Sequence, residues 1–98
     1  MNININVENK KPSEIAQEIS DKMADYRGLG HFFPIEASLT PTLSDYDFFT
    51  MHYTLHHLNY LFWYDEKTDR QYCQHMQDYC ASKGKAWGGI IGVSEVQH

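Results

Sequence analysis

The first residues alternate strictly between polar and apolar, which predicts a β-strand with one buried face: Ile3, Ile5 and Val7. From Ser13 to Arg27 the apolar residues instead follow a helical period: Ile15, Ile19, Met23 and Tyr26. Pro12 suits the first turn of this helix, and Gly28 suits its end. The chain therefore begins with a predicted strand followed by a predicted helix.

Three weaker elements are predicted elsewhere. Residues 31–39 fit a short strand, which Pro34 would restrict to a sheet edge or to irregular structure. A second helix would be capped by Thr68 or Asp69 and end at Gly84, with four residues on one face: Tyr72, Met76, Tyr79 and Cys80. The apolar, glycine-rich stretch at residues 86–96 predicts a final strand.

The aromatic segment at residues 46–64 fits two different periods. As two strands, large and polar residues alternate, with a change of parity at His56-His57. As a helix, a spacing of three and four gives an apolar stripe behind a Ser44-x-x-Asp47 capping box: Phe48, Met51, Leu55, Leu58 and Phe62. The segment is rich in Tyr, Phe, Trp and Thr and lacks Ala, Glu, Lys and Gln, which favours two strands. The helix remains the alternative.

These elements predict one α+β domain spanning residues 1–98. We expect a small two-layer sandwich in which two helices cover one face of an antiparallel sheet, with ferredoxin-like βαββαβ as the leading topology. The predicted core comprises one face of the aromatic segment and ten further residues: Ile3, Ile5, Val7, Ile15, Ile19, Tyr26, Met76, Tyr79, Ile90 and Ile91. Two helices cannot cover every aromatic residue of such a sheet, so some should remain exposed.

Composition narrows the classes of partner. The 98 residues carry a net charge of −5, which disfavours binding to phosphate backbones and to anionic lipid. No lysine or arginine occurs between Arg27 and Lys67, although residues 46–64 within this interval contain eight of the fourteen aromatic residues. Aromatic residues without cations argue against stacking on nucleic acid, and the basic-Gly-aromatic motif of RNA-recognition domains is absent. A basic protein surface is the favoured partner.

The predicted first helix carries an acidic row of four carboxylates within about 60° of the helix circumference: Glu14, Glu18, Asp21 and Asp25. Successive members lie about 4.5–6 Å apart along the axis, the same order as the charge spacing of DNA. The row either imitates a phosphate backbone or is an ordinary solvated helix face. With Asp45 and Asp47, it forms the predicted partner-binding set.

The sequence contains no recognisable catalytic or metal-binding motif. His52 and His56 would lie about 13 Å apart on a strand, too far to share an ion, so we expect neither metal nor cofactor. Cys73 and Cys80, seven residues apart on a predicted helix, would be too distant for a disulfide. Free thiols and the lack of a visible signal peptide or membrane span predict a cytoplasmic protein.

In size, acidity and lack of catalytic motifs, the chain resembles small inhibitors encoded by phages and mobile elements, such as anti-CRISPR proteins and DNA-mimic antirestriction proteins. The resemblance is one of composition, so it carries over no site residues. It implies a non-enzymatic protein that occupies a basic nucleic-acid-binding surface of a host defence complex, without binding nucleic acid or membrane itself. Exposed aromatic residues also allow a homodimer.

Two alternatives belong to other classes. One is a small-molecule or metal-binding regulatory domain of ferredoxin-like fold, with three histidines near the ligand: His52, His56 and His57. The other is an enzyme subunit with no activity of its own.

Overall fold

The computed structural model describes residues 2–27, 33–84, 86–87 and 93–94. Its elements follow one another as β1 (Asn2–Asn6), α1 (Pro12–Met23), a 3₁₀ turn (Ala24–Tyr26), β2 (Ile35–Thr40), α2 (Asp45–His57), β3 (Tyr60–Asp65), β4 (Arg70–His75), α3 (Met76–Ser82), β5 (Ala86–Trp87) and β6 (Val93–Ser94). Strands β5 and β6 pair with each other in a separate antiparallel sheet. The other four strands form the main sheet.

The main sheet has the strand order β1-β2-β4-β3. Strands β1 and β2 are parallel, and the β2–β4 and β3–β4 pairs are antiparallel. The register places Ile3 beside Ala37, and Cys73 between Ile35 and Phe62. Since side chains alternate between the faces of a strand, this register gives the sheet one continuous apolar face.

Helices α1 and α2 pack side by side against that apolar face. The buried core is drawn from both helices and all four strands: Ile3, Ile5, Val7, Ile15, Ala16, Ile19, Met23, Ile35, Ala37, Met51, Leu55, Tyr60, Phe62 and Cys73. Strand β1 shows the division most simply, because its isoleucines are buried while Asn2, Asn4 and Asn6 are exposed on the opposite face. The opposite face of the sheet is called the outer sheet face below.

The predicted α+β two-layer architecture is confirmed, but the ferredoxin-like order is not. The sheet is mixed rather than wholly antiparallel, because β1-α1-β2 is a crossover unit that returns the chain in the same direction. Strand β2 is internal, between β1 and β4, so the expectation of an edge strand was wrong. Pro34 lies just before β2 and therefore removes no donor from its hydrogen-bonded ladder.

The aromatic segment forms one helix and one strand, so the expectation of two strands was wrong for its first half. The Ser44 hydroxyl accepts a hydrogen bond from the Asp47 backbone N–H at 3.2 Å and caps α2, as the capping motif of the helical alternative indicates. Asn59, with a φ of 71°, ends the helix in the left-handed region and turns the chain into β3. Capping and inner-face packing outweighed the strand preference of the individual residues.

The second predicted helix is divided between a strand and a helix. Residues 66–69 form the turn of the β3–β4 hairpin, where the Asp65 carboxylate accepts a hydrogen bond from the Lys67 backbone N–H at 2.8 Å. Helix α3 begins only at Met76, so Thr68 and Asp69 do not cap it. Cys73 lies in β4 and Cys80 in α3; both are buried and neither forms a disulfide, but they do not lie on one helix as predicted.

Most of the predicted core is confirmed. Six of its ten named residues are buried: Ile3, Ile5, Val7, Ile15, Ile19 and Met76. Tyr26 and Tyr79 are only half-buried. Ile90 and Ile91 lie outside the described residues, as do Gly28 and most of the predicted final strand.

A buried histidine joins β4 to α3. His75 is 6% exposed, and its Nδ1 accepts a hydrogen bond from the Gln77 backbone N–H at 3.0 Å, which caps α3. Burial lowers the pKa of His75 to about 4; the Arg27 guanidinium acts in the same direction and the Asp78 carboxylate opposes it. The cap therefore depends on a neutral imidazole.

We predict that Phe62 and Phe49 contribute very differently to the free energy of unfolding. Phe62→Ala removes a side chain that is 2% exposed and should lower the free energy of unfolding by about 3–5 kcal/mol. Phe49→Ala, the same change at a position 66% exposed, should change it by less than about 0.5 kcal/mol. Urea unfolding followed by circular dichroism measures both values; similar losses would contradict this placement of α2.

We expect the stability of the domain to depend on pH through His75. The pKa of His75 is lower in the folded state than in the unfolded chain, so its contribution to stability is complete above about pH 6.5 and is lost as pH falls toward 4. His75→Asn retains a capping acceptor without this titration. The free energy of unfolding should therefore fall less in this variant between about pH 7 and pH 4.5. Equal slopes for the two proteins would show that His75 is not held neutral.

Candidate functional site

The outward side of α2 carries three exposed aromatic side chains. Tyr46 is 79% exposed, Phe49 66% and Tyr53 57%. Their spacing of i, i+3 and i+7 places them within about 60° of the helix circumference and over about 10 Å of its length. We call this group the aromatic ridge. His57 extends it by one turn, with its ring 4.7 Å from that of Tyr53.

The inward side of α2 is also apolar. Met51 and Leu55 are fully buried, and the rings of Phe48 and Phe62 meet edge to face at a centroid distance of 5.6 Å. A surface helix of a globular domain normally has polar residues opposite its buried stripe. Helix α2 has aromatic residues there instead, so burial in the domain core does not explain its composition.

The polar groups of α2 do little to mask the ridge. The Thr50 hydroxyl donates to the Tyr46 carbonyl at 3.0 Å, and the Thr54 hydroxyl donates to the Thr50 carbonyl at the same distance. These two hydroxyls are therefore satisfied by the backbone of the helix. The ridge remains a surface of aromatic rings with two phenolic hydroxyls.

Negative charge lies at the N-terminal end of the ridge. Asp45 and Asp47 occupy the first turn of α2, where carboxylates stabilise a helix through its dipole. No ion pair or side-chain hydrogen bond involves either carboxylate in the described part of the chain. The helix itself contains no lysine or arginine. The site thus combines aromatic rings with uncompensated carboxylates.

A cleft of about 450 Å³ opens beside this end of α2. Part of its wall is apolar: Leu39, Leu43 and Phe48. Asp45 and Asp69 also line it, and Asp69 accepts a hydrogen bond from the Tyr64 hydroxyl at 2.5 Å. The Arg70 guanidinium is 3.6 Å from the Glu36 carboxylate. The cleft therefore suits a long aliphatic side chain with a cationic end.

The acidic row lies on α1 and the 3₁₀ turn that follows it, in the same helical layer as the ridge. Its central carboxylate, Glu18, is neutralised within the domain, because it lies 2.6 Å from the Lys10 ammonium and 3.7 Å from that of Lys22. A carboxylate already paired with two lysines is poorly suited to replace a phosphate against a partner.

The remaining members of the row differ in their contacts. Glu14 accepts a hydrogen bond from the Lys11 backbone N–H at 3.0 Å, which caps α1, and Asp21 accepts one from the Gln17 side chain at 2.9 Å. Asp25 is exposed in the 3₁₀ turn, and no side-chain contact of its carboxylate is found among the described residues. The row is therefore not a uniform line of available charges.

The described histidines and cysteines are distributed over three elements, α2, β4 and α3. His52 and His56 lie one turn apart on α2, so the 13 Å separation expected for a strand was wrong. Within the described residues, no three side chains of His, Cys, Asp or Glu are grouped to hold a metal ion. Burial raises the pKa of the Cys73 thiol to about 12, which suppresses the nucleophilic thiolate.

Sequence reasoning identified the carboxylates individually but missed the ridge. The interpretation as two strands distributes Tyr46, Phe49 and Tyr53 over both faces of a sheet. The helical alternative contained the signal, because the three positions face away from the stripe that begins at Phe48. An aromatic residue opposite the buried stripe of an amphipathic helix is expected to be exposed.

Comparison with protein-family models, with curated proteins and with solved structures finds no match to this chain. Among the residues that the structure describes, no helix combines the length and the apolar character needed to cross a bilayer. What the surface binds must therefore be inferred from its own side chains.

Proposed function

We propose that this is a non-enzymatic binding protein that docks α2 into an apolar groove with a basic rim on a partner protein. The observation that carries the proposal is the aromatic ridge, three exposed rings on one side of a helix whose other side is already buried. The carboxylates in the first turn of the same helix favour a partner surface with positive charge.

The spacing of the ridge supports a helix-in-groove mode of binding. Such helices insert anchors at i, i+3 or i+4, and i+7 into a groove of the partner. Tyrosine is enriched among the residues that dominate interface energy, because its ring buries a large area and its hydroxyl satisfies one hydrogen bond. Tyr46 and Tyr53 at the two ends of the ridge, with Phe49 between them, match this composition.

Charge supports a basic partner. Asp45 and Asp47 are not compensated by cations on α2, and the chain as a whole has a net charge of −5. Lysine or arginine on the rim of the groove would pair with these carboxylates, and a long cationic side chain would fit the adjoining cleft. A neutral or acidic groove would leave the carboxylates opposed by like charge or desolvated without a partner.

The basic rim of such a groove is typical of proteins that bind nucleic acid. In this proposal, the partner is a host defence complex whose basic nucleic-acid-binding surface is blocked, as the resemblance to phage and mobile-element inhibitors implies. The acidic row on α1 would extend the contact within the same helical layer, with Asp25 the most available member and Glu18 the least. The expected cytoplasmic location is consistent with this role.

Our third prediction tests the ridge. A photo-crosslinking amino acid at Phe49 should capture one partner in cells of the native host, whereas the same group at exposed Ser13 of α1 should not. Binding of the purified partner, measured by calorimetry, should weaken at least about 100-fold when all three ridge residues are replaced by alanine, because they are the apolar anchors.

Two results would contradict the proposal. One is full affinity of the triple variant for a captured partner. The other is a cross-link at Phe49 that joins only two copies of this chain, together with a dimer in light scattering that the alanine variant abolishes. The second result would make the ridge a homodimer interface.

The fourth prediction tests charge. Asp45→Asn with Asp47→Asn should weaken binding about tenfold, mainly through slower association, and should reduce the salt dependence of the affinity. Asp21→Asn with Asp25→Asn removes the same charge from the acidic row, which only extends the contact, and should therefore weaken binding by a smaller factor. Surface plasmon resonance at several salt concentrations measures both. A larger loss of affinity in the α1 variant would show that the acidic row, and not α2, makes the main contact with the partner.

A further inference from the structure

A buried glutamine whose side-chain nitrogen has no hydrogen-bond partner among the described residues lies on the outer sheet face, away from the aromatic ridge. Gln74 of β4 is only 4% exposed, and its amide nitrogen is shielded from water without a hydrogen-bond partner in the described part of the chain. The register pairs it with Leu61 and places it diagonally from Trp63. A buried amide nitrogen that makes no hydrogen bond destabilises a fold, so this nitrogen is a candidate donor to a bound ligand.

The same glutamine lines a cavity of about 580 Å³ between the outer sheet face and α3. Aromatic rings form much of its wall: Phe33, Trp63 and Tyr79. Trp63 is held from the side by Tyr72, whose ring centroid lies 6.0 Å away. A largely aromatic cavity of this size with a few polar side chains, here Gln74, Ser82 and Lys83, has the character of a small-molecule site.

The charge of this cavity is opposite to that of the molecule as a whole. Lys83 is the one charged residue among its described lining residues, and its ammonium lies 5.8 Å from the Tyr79 ring centroid. No carboxylate belongs to that lining. In a chain with a net charge of −5, described lining residues that include a lysine and no acid favour a neutral or anionic ligand over a cationic one.

We infer that this cavity binds a planar heteroaromatic ligand that carries an anionic group. The ring would stack against Trp63 and Tyr79, and the anion would pair with the Lys83 ammonium. The Gln74 amide offers a donor and an acceptor side by side, and half a turn about its last bond exchanges them. The Gln74 amide can therefore form two hydrogen bonds with the edge of a heteroaromatic ring that carries one acceptor and one donor.

Two sources supply this chemistry, a mononucleotide and an aromatic carboxylic acid. The experiment titrates the full ¹⁵N-labelled chain with AMP and, separately, with indole-3-acetate. Adenosine and indole-3-acetamide are the neutral counterparts. Saturable shifts of the Gln74 side-chain amide and the Trp63 indole N–H are expected with at least one anionic probe. The anionic probe that binds with the higher affinity shows whether the ligand resembles a mononucleotide or an aromatic carboxylic acid.

The decisive variant is Gln74→Leu, which removes the amide and retains a side chain of similar size. Its thermal midpoint should be unchanged or higher, because an unsatisfied buried amide is lost. Its affinity for the anionic probe should fall about tenfold, the loss of a well-placed hydrogen bond. Unaltered affinity in this variant would overturn the site.

Lysine variants test the anionic group. Lys83→Gln should abolish the preference for the anionic probe over its neutral counterpart, whereas Lys67→Gln, the same change in the β3–β4 turn, should leave that preference intact. The ridge triple-alanine variant should bind the probes like the natural chain, which separates this site from the proposed function. Probe shifts confined to the aromatic ridge, or no saturable shift at Gln74 with any probe, would also overturn the inference.

Discussion

The packing of α2 against the sheet is the contact on which the rest of the structure depends. It buries Met51 and Leu55 completely and brings Phe48 against Phe62, so it joins the helical layer to β3. A helix can bury only one side against a sheet, and the sequence of α2 is aromatic on both. The contact that completes the core therefore also exposes the aromatic ridge. The core and the proposed binding surface are two consequences of one orientation.

The two surfaces of this small domain have different chemistry. The helical layer combines aromatic rings with carboxylates, and helix α2 itself contains no lysine or arginine, which suits a large basic partner. The outer sheet face instead encloses a cavity with Trp63, an unsatisfied Gln74 amide and a lysine at its edge. Its concave shape and the lysine among its described lining residues suit a small anion with an aromatic ring. A sheet covered by α1 and α2 on only one face makes both surfaces available.

Where the sequence carries a single period, the prediction agrees with the fold. The alternation at Ile3 and Ile5 fits only a strand, and the spacing of Ile15 and Ile19 fits only a helix. The aromatic segment carries both periods, and residue preference chose the wrong one for its first half. The candidate site was likewise predictable only in part. Its carboxylates can be identified from residue type, but the cations that pair with them cannot. Lys10, eight residues from Glu18, neutralises it through a contact that no local pattern predicts.

The sequence by itself determined the class of the domain, most of its core and its acidic character, because hydrophobic periodicity and charge are local properties of the chain. It also excluded cations from the interval that contains α2. Only the tertiary structure decided which side of α2 faces the sheet, that β1 and β2 run parallel, and that Gln74 is enclosed beside Trp63. These features depend on contacts between residues far apart in the chain, where packing outweighs the preferences of single residues.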